Sequence, residues 1–348
     1  MPRFVLDCER MKYPNTGLYT YCKELGKAMT NHLAPSEELY FYLPAQRDAS
    51  FEQHPHYDQK QWHKLWVPFK KNIHIWHTTH QFSGYFPGSD KFKRVLTIHD
   101  LNFLYANTNR FWRQRLLSGM QRLINKADHL VTISHYVKND VLRHLNTGNK
   151  PISVIYNGCD VTEFPSFSSP IYHPERPFLF SIGTILPKKN FHVIPALLKG
   201  TDYELVLAGN VNTSYQRQIL QEAAQQGVYN QVKILGPIND EHKYWYLKNC
   251  AAFVFPSIAE GFGIPVIEAM HYGKPVFLSN KTSLPEIGGS YAYYFNNFEP
   301  AHMRTVFTEG MAAYATTQPA DAIRQHARSF CWSDIARQYL EIYRSLIA

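Results

Sequence analysis

Two glutamates, Glu260 and Glu268, stand with seven residues between them in the string FVFPSIAEGFGIPVIEAMHYGKPV. The string opens as a short apolar run and closes as a helical pattern, so it reads as strand, turn and helix. Open α/β sheets bind ligands outside the carboxyl ends of their strands, which is where this turn falls. Gly261 and Gly263 permit close backbone approach and Pro265 suits the first helical position. The amides of Phe262, Gly263 and Ile264 are then expected to point at an anion. Glu268 is expected in the first helical turn, where its carboxylate can accept hydrogen bonds from a ribose diol. Glu260, before the turn, can reach the hydroxyls of a sugar. A loop glutamate followed by a first-turn acid favoured by the helix dipole is the plainer alternative.

Upstream, GTILPKKNF joins a strand end at Gly183 and Thr184 to a basic turn. Lys189, with Lys188 beside it, sets an ammonium at that turn that can meet an anion. A solvated basic turn is the competing reading. In the first half, His99 and Asp100 close the strand VLTI, and Gly17 precedes a helical pattern. His77 and His80, in WHTTH, resemble a metal pair only in type and read as strand-end polar residues.

Three absences narrow the chemistry. Without an Asp-x-Asp pair, one common carboxylate holder of a divalent ion is missing, and neutralisation of an anion falls to lysine and backbone amides. No GxGxxG supports a dinucleotide enzyme, and no GxSxG elbow supports a serine hydrolase. The five cysteines, Cys8, Cys22, Cys159, Cys250 and Cys331, lie far apart without metal or disulfide spacing. No cofactor or metal is expected.

These residues need strand ends to hold them. The short runs RFVLD, HIWH, VLTIHD, HLVTIS and ISVIYN, then FLFSIGT, ELVLAG, QVKILG, AAFVFPS and PVFLSN, alternate with helical patterns such as Tyr19 to Met29 and Tyr215 to Ala224. That is the rhythm of parallel sheets. At 348 residues the chain is long enough for two domains, and 45% apolar residues can fill both cores. The stretch FPSFSSPIYHPERP, with four prolines and three serines, marks a linker. The expected division is 1–165, linker 166–177, 178–331, and a helix at 332–348 that returns across the hinge.

The net charge of +8 favours anionic partners without choosing among them. MPRFVLDCERMK is too short in apolar residues for a signal peptide, and no window approaches a membrane span, so a cytoplasmic protein is expected. Asn109 to Asp128, NRFWRQRLLSGMQRLINKAD, reads as a helix that meets an anionic membrane or lipid-diphosphate acceptor, or as a core-facing amphipathic helix with a solvated basic side. The second reading is the plainer.

The string PSIAEGFGIPVIEAM resembles the Glu-x7-Glu signature of glycosyltransferase family 4, whose members are retaining enzymes of the GT-B fold. Further blocks are similar: Thr16-Gly17-Leu18, VLTIHDL, VTISHYVKNDV, VIYNGCDVTEF, GTILPKKNF and SLPEIGG. The resemblance implies an α/β GT-B architecture, two Rossmann-like domains with parallel sheets facing across a cleft. The first would hold a glycan or lipid-linked glycan acceptor and the second a nucleoside-diphosphate sugar. His99 would contact the sugar and its developing charge, Lys189 with Lys188 beside it would stabilise the departing diphosphate, His77, His80 and Asp100 would face the acceptor, and Gly17 would let the first helix approach the diphosphate. Many relatives carry arginine where this chain has Thr184, which leaves the phosphate clamp weaker or completed by another basic residue. The likeness to bacterial polysaccharide mannosyltransferases makes GDP-mannose the first donor and a UDP-linked hexose the second. The rivals are a basic nucleotide or polyanion-binding module, and a glycan phosphorylase, which would need a pyridoxal-phosphate lysine. No nucleic-acid motif supports the former.

Overall fold

The computed structural model describes all residues except 15, 46–48, 69–71, 89–90 and 106–108. The chain divides into two units, one of Met1–Gly158 with Phe330–Ala348 and one of Cys159–Ser329.

The first unit is built on β1 (Arg3–Asp7), β2 (Glu38–Leu43), β3 (His56–Asp58), β4 (Ile75–Thr78), β5 (Lys93–Ile98), β6 (His129–Thr132) and β7 (Ile152–Val154), with helices α1 (Gly17–Thr30), α2 (Arg110–Lys126) and α3 (His135–His144). Its strands are all parallel, in the order β3-β2-β1-β4-β5-β6-β7. Alternate residues of β1 serve opposite faces: Phe4 and Leu6 enter one core cluster and Val5 the other. Burial on both faces is why such strands read as continuous apolar runs. The short strands β2 and β3 were not legible from pattern.

The second unit carries β8 (Phe178–Ile182), β9 (Glu204–Ala208), β10 (Val232–Ile234), β11 (Ala252–Phe255), β12 (Val276–Ser279) and β13 (Tyr293–Phe295). They form a parallel sheet ordered β10-β9-β8-β11-β12-β13. Its helices are α4 (Thr213–Gln225), α5 (Asp240–Asn249), α6 (Ile264–His271), α7 (Leu284–Gly288), α8 (Pro300–Thr317) and α9 (Ala320–Arg328). Each sheet reverses direction beside its first strand, between β1 and β4 and between β8 and β11. A crevice opens at such a switch point, outside the carboxyl ends of the strands.

The last helix, α10 (Trp332–Ile347), packs on α1 in the first unit and brings Trp332, Tyr339, Leu340 and Tyr343 into its core. The units divide after Gly158 and Ser329, rather than at 165 and 331. The proline-rich stretch is laid onto the second unit. Glu204 at the start of β9 accepts the amides of Glu175 (3.0 Å) and Arg176 (3.1 Å), and Tyr246 Oη donates to the Tyr172 carbonyl at 2.6 Å. These bonds anchor chain that its composition marks only as a pattern breaker.

Candidate active site

At the switch point of the second unit the chain leaves β8 through Gly183 and enters a single basic turn, Pro187–Lys189. The neighbouring crossover from β9 passes so close that a Cβ on Gly209, where φ is +133°, would collide with the Gly183 carbonyl oxygen. Only glycine fits there. The Lys188 carbonyl accepts from the Ile258 amide at 2.9 Å and lies 3.1 Å from Ser257 Oγ, which ties the basic turn to the loop after β11.

That tie brings Lys189 and Glu260 together. Lys189 Nζ lies 2.5 Å from Glu260 Oε1 and 4.7 Å from the centroid of the Phe255 ring, and Ser257 Oγ lies 2.6 Å from the same carboxylate oxygen. Both charged side chains are mostly buried, so their mutual attraction is screened little. Lys188 and Thr184, by contrast, are exposed, and the Lys188 ammonium takes no carboxylate among the described residues.

The loop between β11 and α6 is fixed from its far side. The Glu260 amide donates to Thr282 Oγ1 at 3.0 Å, and Ser283 Oγ lies 3.0 Å from the Phe262 carbonyl. The Phe262 side chain is buried, so this residue anchors the loop beside Gly261. Gly263 caps α6 with φ +114°, a left-handed conformation that the missing side chain permits. Because the helix begins at Ile264, Glu268 falls in its second turn, not the first as expected. The helix dipole is weak there, and a side chain compensates the carboxylate instead: Lys243 Nζ of α5 lies 2.7 Å from Glu268 Oε1. Burial lowers the Lys243 pKa, but Glu268, Tyr244 and Asp240 together outweigh it and the net shift is upward.

The equivalent strand ends of the first unit hold neutral groups. His99 is buried. Its Nε2 donates to the Thr79 carbonyl at 2.8 Å, so Nδ1 is the acceptor nitrogen, and Tyr21 meets the ring edge-on at 4.6 Å between centroids. Burial pulls its pKa down to about 4, partly offset by the bond to Thr79. The Gln81 amide accepts from the His99 N–H at 3.0 Å and donates to the Asp100 carbonyl at 2.9 Å, which clamps that peptide. Asp100 itself accepts from the Asn102 amide at 2.9 Å. His80 accepts the Phe82 amide on Nδ1 at 3.1 Å and lies 5.7 Å from the His99 ring; burial holds it neutral as well. Gly17 opens α1 at an exposed position, and a Cβ there would meet nothing within 4 Å.

His77 is a correction. It was expected to touch an acceptor, but it is 0% exposed, with Nδ1 2.5 Å from Tyr343 Oη and Nε2 2.7 Å from Thr97 Oγ1. Its side chain points from β4 into the core that α10 completes.

Two family models match the chain in succession: Glycosyltransferase Family 4 over residues 30–163 and Glycosyl transferases group 1 over residues 167–297. The chain belongs to the GT-B glycosyltransferases of the family 4 type.

Among relatives of this family 4 chain, the O-antigen chain mannosyltransferase RfbU of Salmonella typhimurium is 28% identical over 207 residues, 58% of this chain and 56% of the relative. The serotype-specific mannosyltransferase WbdA of Escherichia coli is 32% identical over 180 residues, 49% of this chain and 22% of the relative. The matches thus span about half of RfbU and about a fifth of WbdA. HepE of Anabaena, solved with UDP and glucose, has a TM-score of 0.72 at 16% identity, covering 99% of this chain and all of that one. At that identity the likeness shows the fold alone.

Within this family 4 fold, sequence reasoning missed Lys243, Ser257, Gln81 and Thr282. Lys243 left a signal, a lysine on the helix that follows KILGPI. The other three are common polar residues with no spacing to mark them.

Proposed function

We propose that this chain transfers a hexose, with retention of anomeric configuration, from a nucleoside-diphosphate sugar to a hydroxyl of a glycan or lipid-linked glycan in surface-polysaccharide synthesis. The observation that carries the reading is the Lys189–Glu260 pair at the switch point of the second sheet. An ammonium and a carboxylate held that close can divide one donor between them. Lys189, with Lys188 beside it, faces the diphosphate, and Glu260 takes the sugar hydroxyls. Glu268 holds the ribose diol while Lys243 fixes its carboxylate.

The bond from the anomeric carbon to the leaving phosphate oxygen breaks, and a bond to the acceptor oxygen forms on the same face. The acceptor's proton goes to the leaving phosphate. Lys189 stabilises the charge that develops there. Because His99 is neutral at pH 7, it serves as a hydrogen-bonding group, through Nδ1 or its main-chain carbonyl, and not as a cation.

No divalent ion is needed in this scheme, so activity should survive chelation. GDP-mannose is the first donor, supported by the mannosyltransferase relatives; a UDP-hexose is second, supported by the UDP held by HepE.

A thermal-shift panel of GDP, UDP, ADP and their sugars tests the reading. One nucleotide should stabilise the chain by about 2.7 kcal/mol at a hundredfold excess over its dissociation constant. Product NMR then reports the anomer. If no nucleotide stabilises the chain while polyanions do, it is a binding module; an inverted product would exclude the retaining mechanism.

A further inference from the structure

Helix α2 carries five cations and no acid over Arg110–Lys126. Met120 and Ile124 are its buried residues, so the side that packs on the unit is a narrow stripe. At 100° per residue, Phe111, Arg115, Arg122 and Lys126 fall on the opposite side, with Trp112 at its margin. Phe111 is 75% exposed and Trp112 54%. The Arg115 guanidinium stands 5.6 Å from the Trp112 ring. Arg110, Arg115, Arg122 and Lys126 are exposed and meet no carboxylate among the described residues. The plainer sequence reading of this helix explains Met120 and Ile124 but not where the aromatic rings point.

From this face we infer a docking surface for an anionic lipid bilayer. Cations draw the helix to acidic headgroups, and the two aromatic side chains enter the boundary with the acyl chains. From Phe111 to Lys126 the stripe runs about 22 Å along the helix axis, long enough to lie flat on a membrane. Among the described residues no helix is long and apolar enough to cross one, so this contact is peripheral. A second copy is a poor occupant, because two cationic helices of like sign would face each other. A nucleic acid would use the cations but would not need Phe111 in the outermost position. The contact does not depend on the proposed transfer reaction.

Co-sedimentation of the full chain with phosphatidylcholine vesicles, with and without phosphatidylglycerol, tests the surface. Binding is expected to the mixed vesicles at low salt, at least about tenfold above neutral ones, and to fall as salt rises. Arg115→Gln with Arg122→Gln and Lys126→Gln should weaken it about fivefold per charge. Phe111→Ser with Trp112→Ser should weaken it at least about tenfold while leaving melting temperature and nucleotide affinity unchanged. If the wild type ignores anionic vesicles, the surface is not a membrane site. The inference also fails if the aromatic variant binds as well as the wild type and duplex RNA competes the vesicles away, which would mark a polyanion patch. Self-association lost in both variants would mark a dimer face instead.

Discussion

The two units solve the same topological problem with opposite electrostatics. Both place their candidate residues at the carboxyl ends of parallel strands beside a switch point. In the second unit these residues form two ion pairs, Lys189–Glu260 and Lys243–Glu268. In the first unit they are buried imidazoles kept neutral, His80 and His99, with His77 deeper in the core. Asp7, at the end of β1, follows the same rule. Burial, with the Glu9 carboxylate adding to it, raises its pKa to about 8, against hydrogen bonds from Ser83 and the Glu9 amide. Charged groups suit a diphosphate, and neutral donors and acceptors suit hydroxyls. A shared sheet topology therefore leaves the chemistry of each end open.

The largest test of this contrast is the Lys189–Glu260 pair. Lys189→Met should lower turnover about 10²- to 10³-fold, as for other groups that stabilise a developing charge. It should also destabilise the fold by about 3 kcal/mol, because the mostly buried Glu260 carboxylate loses the Lys189 cation and keeps the Ser257 hydroxyl. Adding Glu260→Gln should restore stability but not turnover. Denaturation and steady-state rates on both variants separate the two roles, and a loss of turnover below about tenfold would remove Lys189 from the chemistry.

Glu268→Ala comes next. Loss of charged hydrogen bonds to a ribose costs on the order of 1.5 to 3 kcal/mol, or roughly 10- to 150-fold in affinity for the free nucleoside diphosphate. Glu260→Ala should leave that affinity nearly intact and impair turnover. Calorimetry showing the reverse would exchange the two assignments.

The neutral end of the first unit predicts a pH signature. His99 and His77 have folded pKa values of about 4 and 3, both lowered by burial, so the unfolded chain binds more protons as pH falls below its histidine pKa near 6.5. Their contribution is complete above that pH and is lost towards pH 4. His129, His192 and His271 are lowered too and act in the same direction. Asp7 has the opposite sign. Its folded pKa is raised, so its contribution is present at low pH and is lost as pH rises to about 8. Stability should peak near pH 6.5 and fall by about 2 kcal/mol by pH 8 from Asp7 alone. Asp7→Asn should abolish that alkaline decline in denaturant titrations. An unchanged decline would mean that Asp7 is ionised in the fold.

The smallest effect is expected at Thr184, exposed close to Lys188, whose ammonium meets no carboxylate among the described residues. Thr184→Arg should tighten nucleoside-diphosphate binding by roughly three- to fivefold, an exposed charge contributing about 1 kcal/mol or less. Unchanged or weaker binding would show that the clamp is complete without it.

Much of the site was legible because local sequence creates it. Gly261 and Gly263 before α6, with Pro265 in its first turn, specify the turn that carries Glu260, and Lys189 follows the strand that ends at Ile182. The placement of Glu268 was misread by one turn, because Gly263 caps the helix and sets where counting begins. His77 and His80 share one short string, yet His77 is wholly enclosed while His80 keeps a slight exposure.

The sequence alone determined the alternation of strands and helices, the division into two parallel-sheet units and the block pattern of family 4, because these depend on periodicity and local turn chemistry. Tertiary structure decided which polar side chain meets which. His77 is claimed by Tyr343, 266 residues away, and Glu268 by Lys243 on another helix. Likewise, Phe111 and Trp112 could have joined a core until packing turned that side of α2 outward. Periodicity says that a helix has a face, but only the surface packed against it says which face is covered.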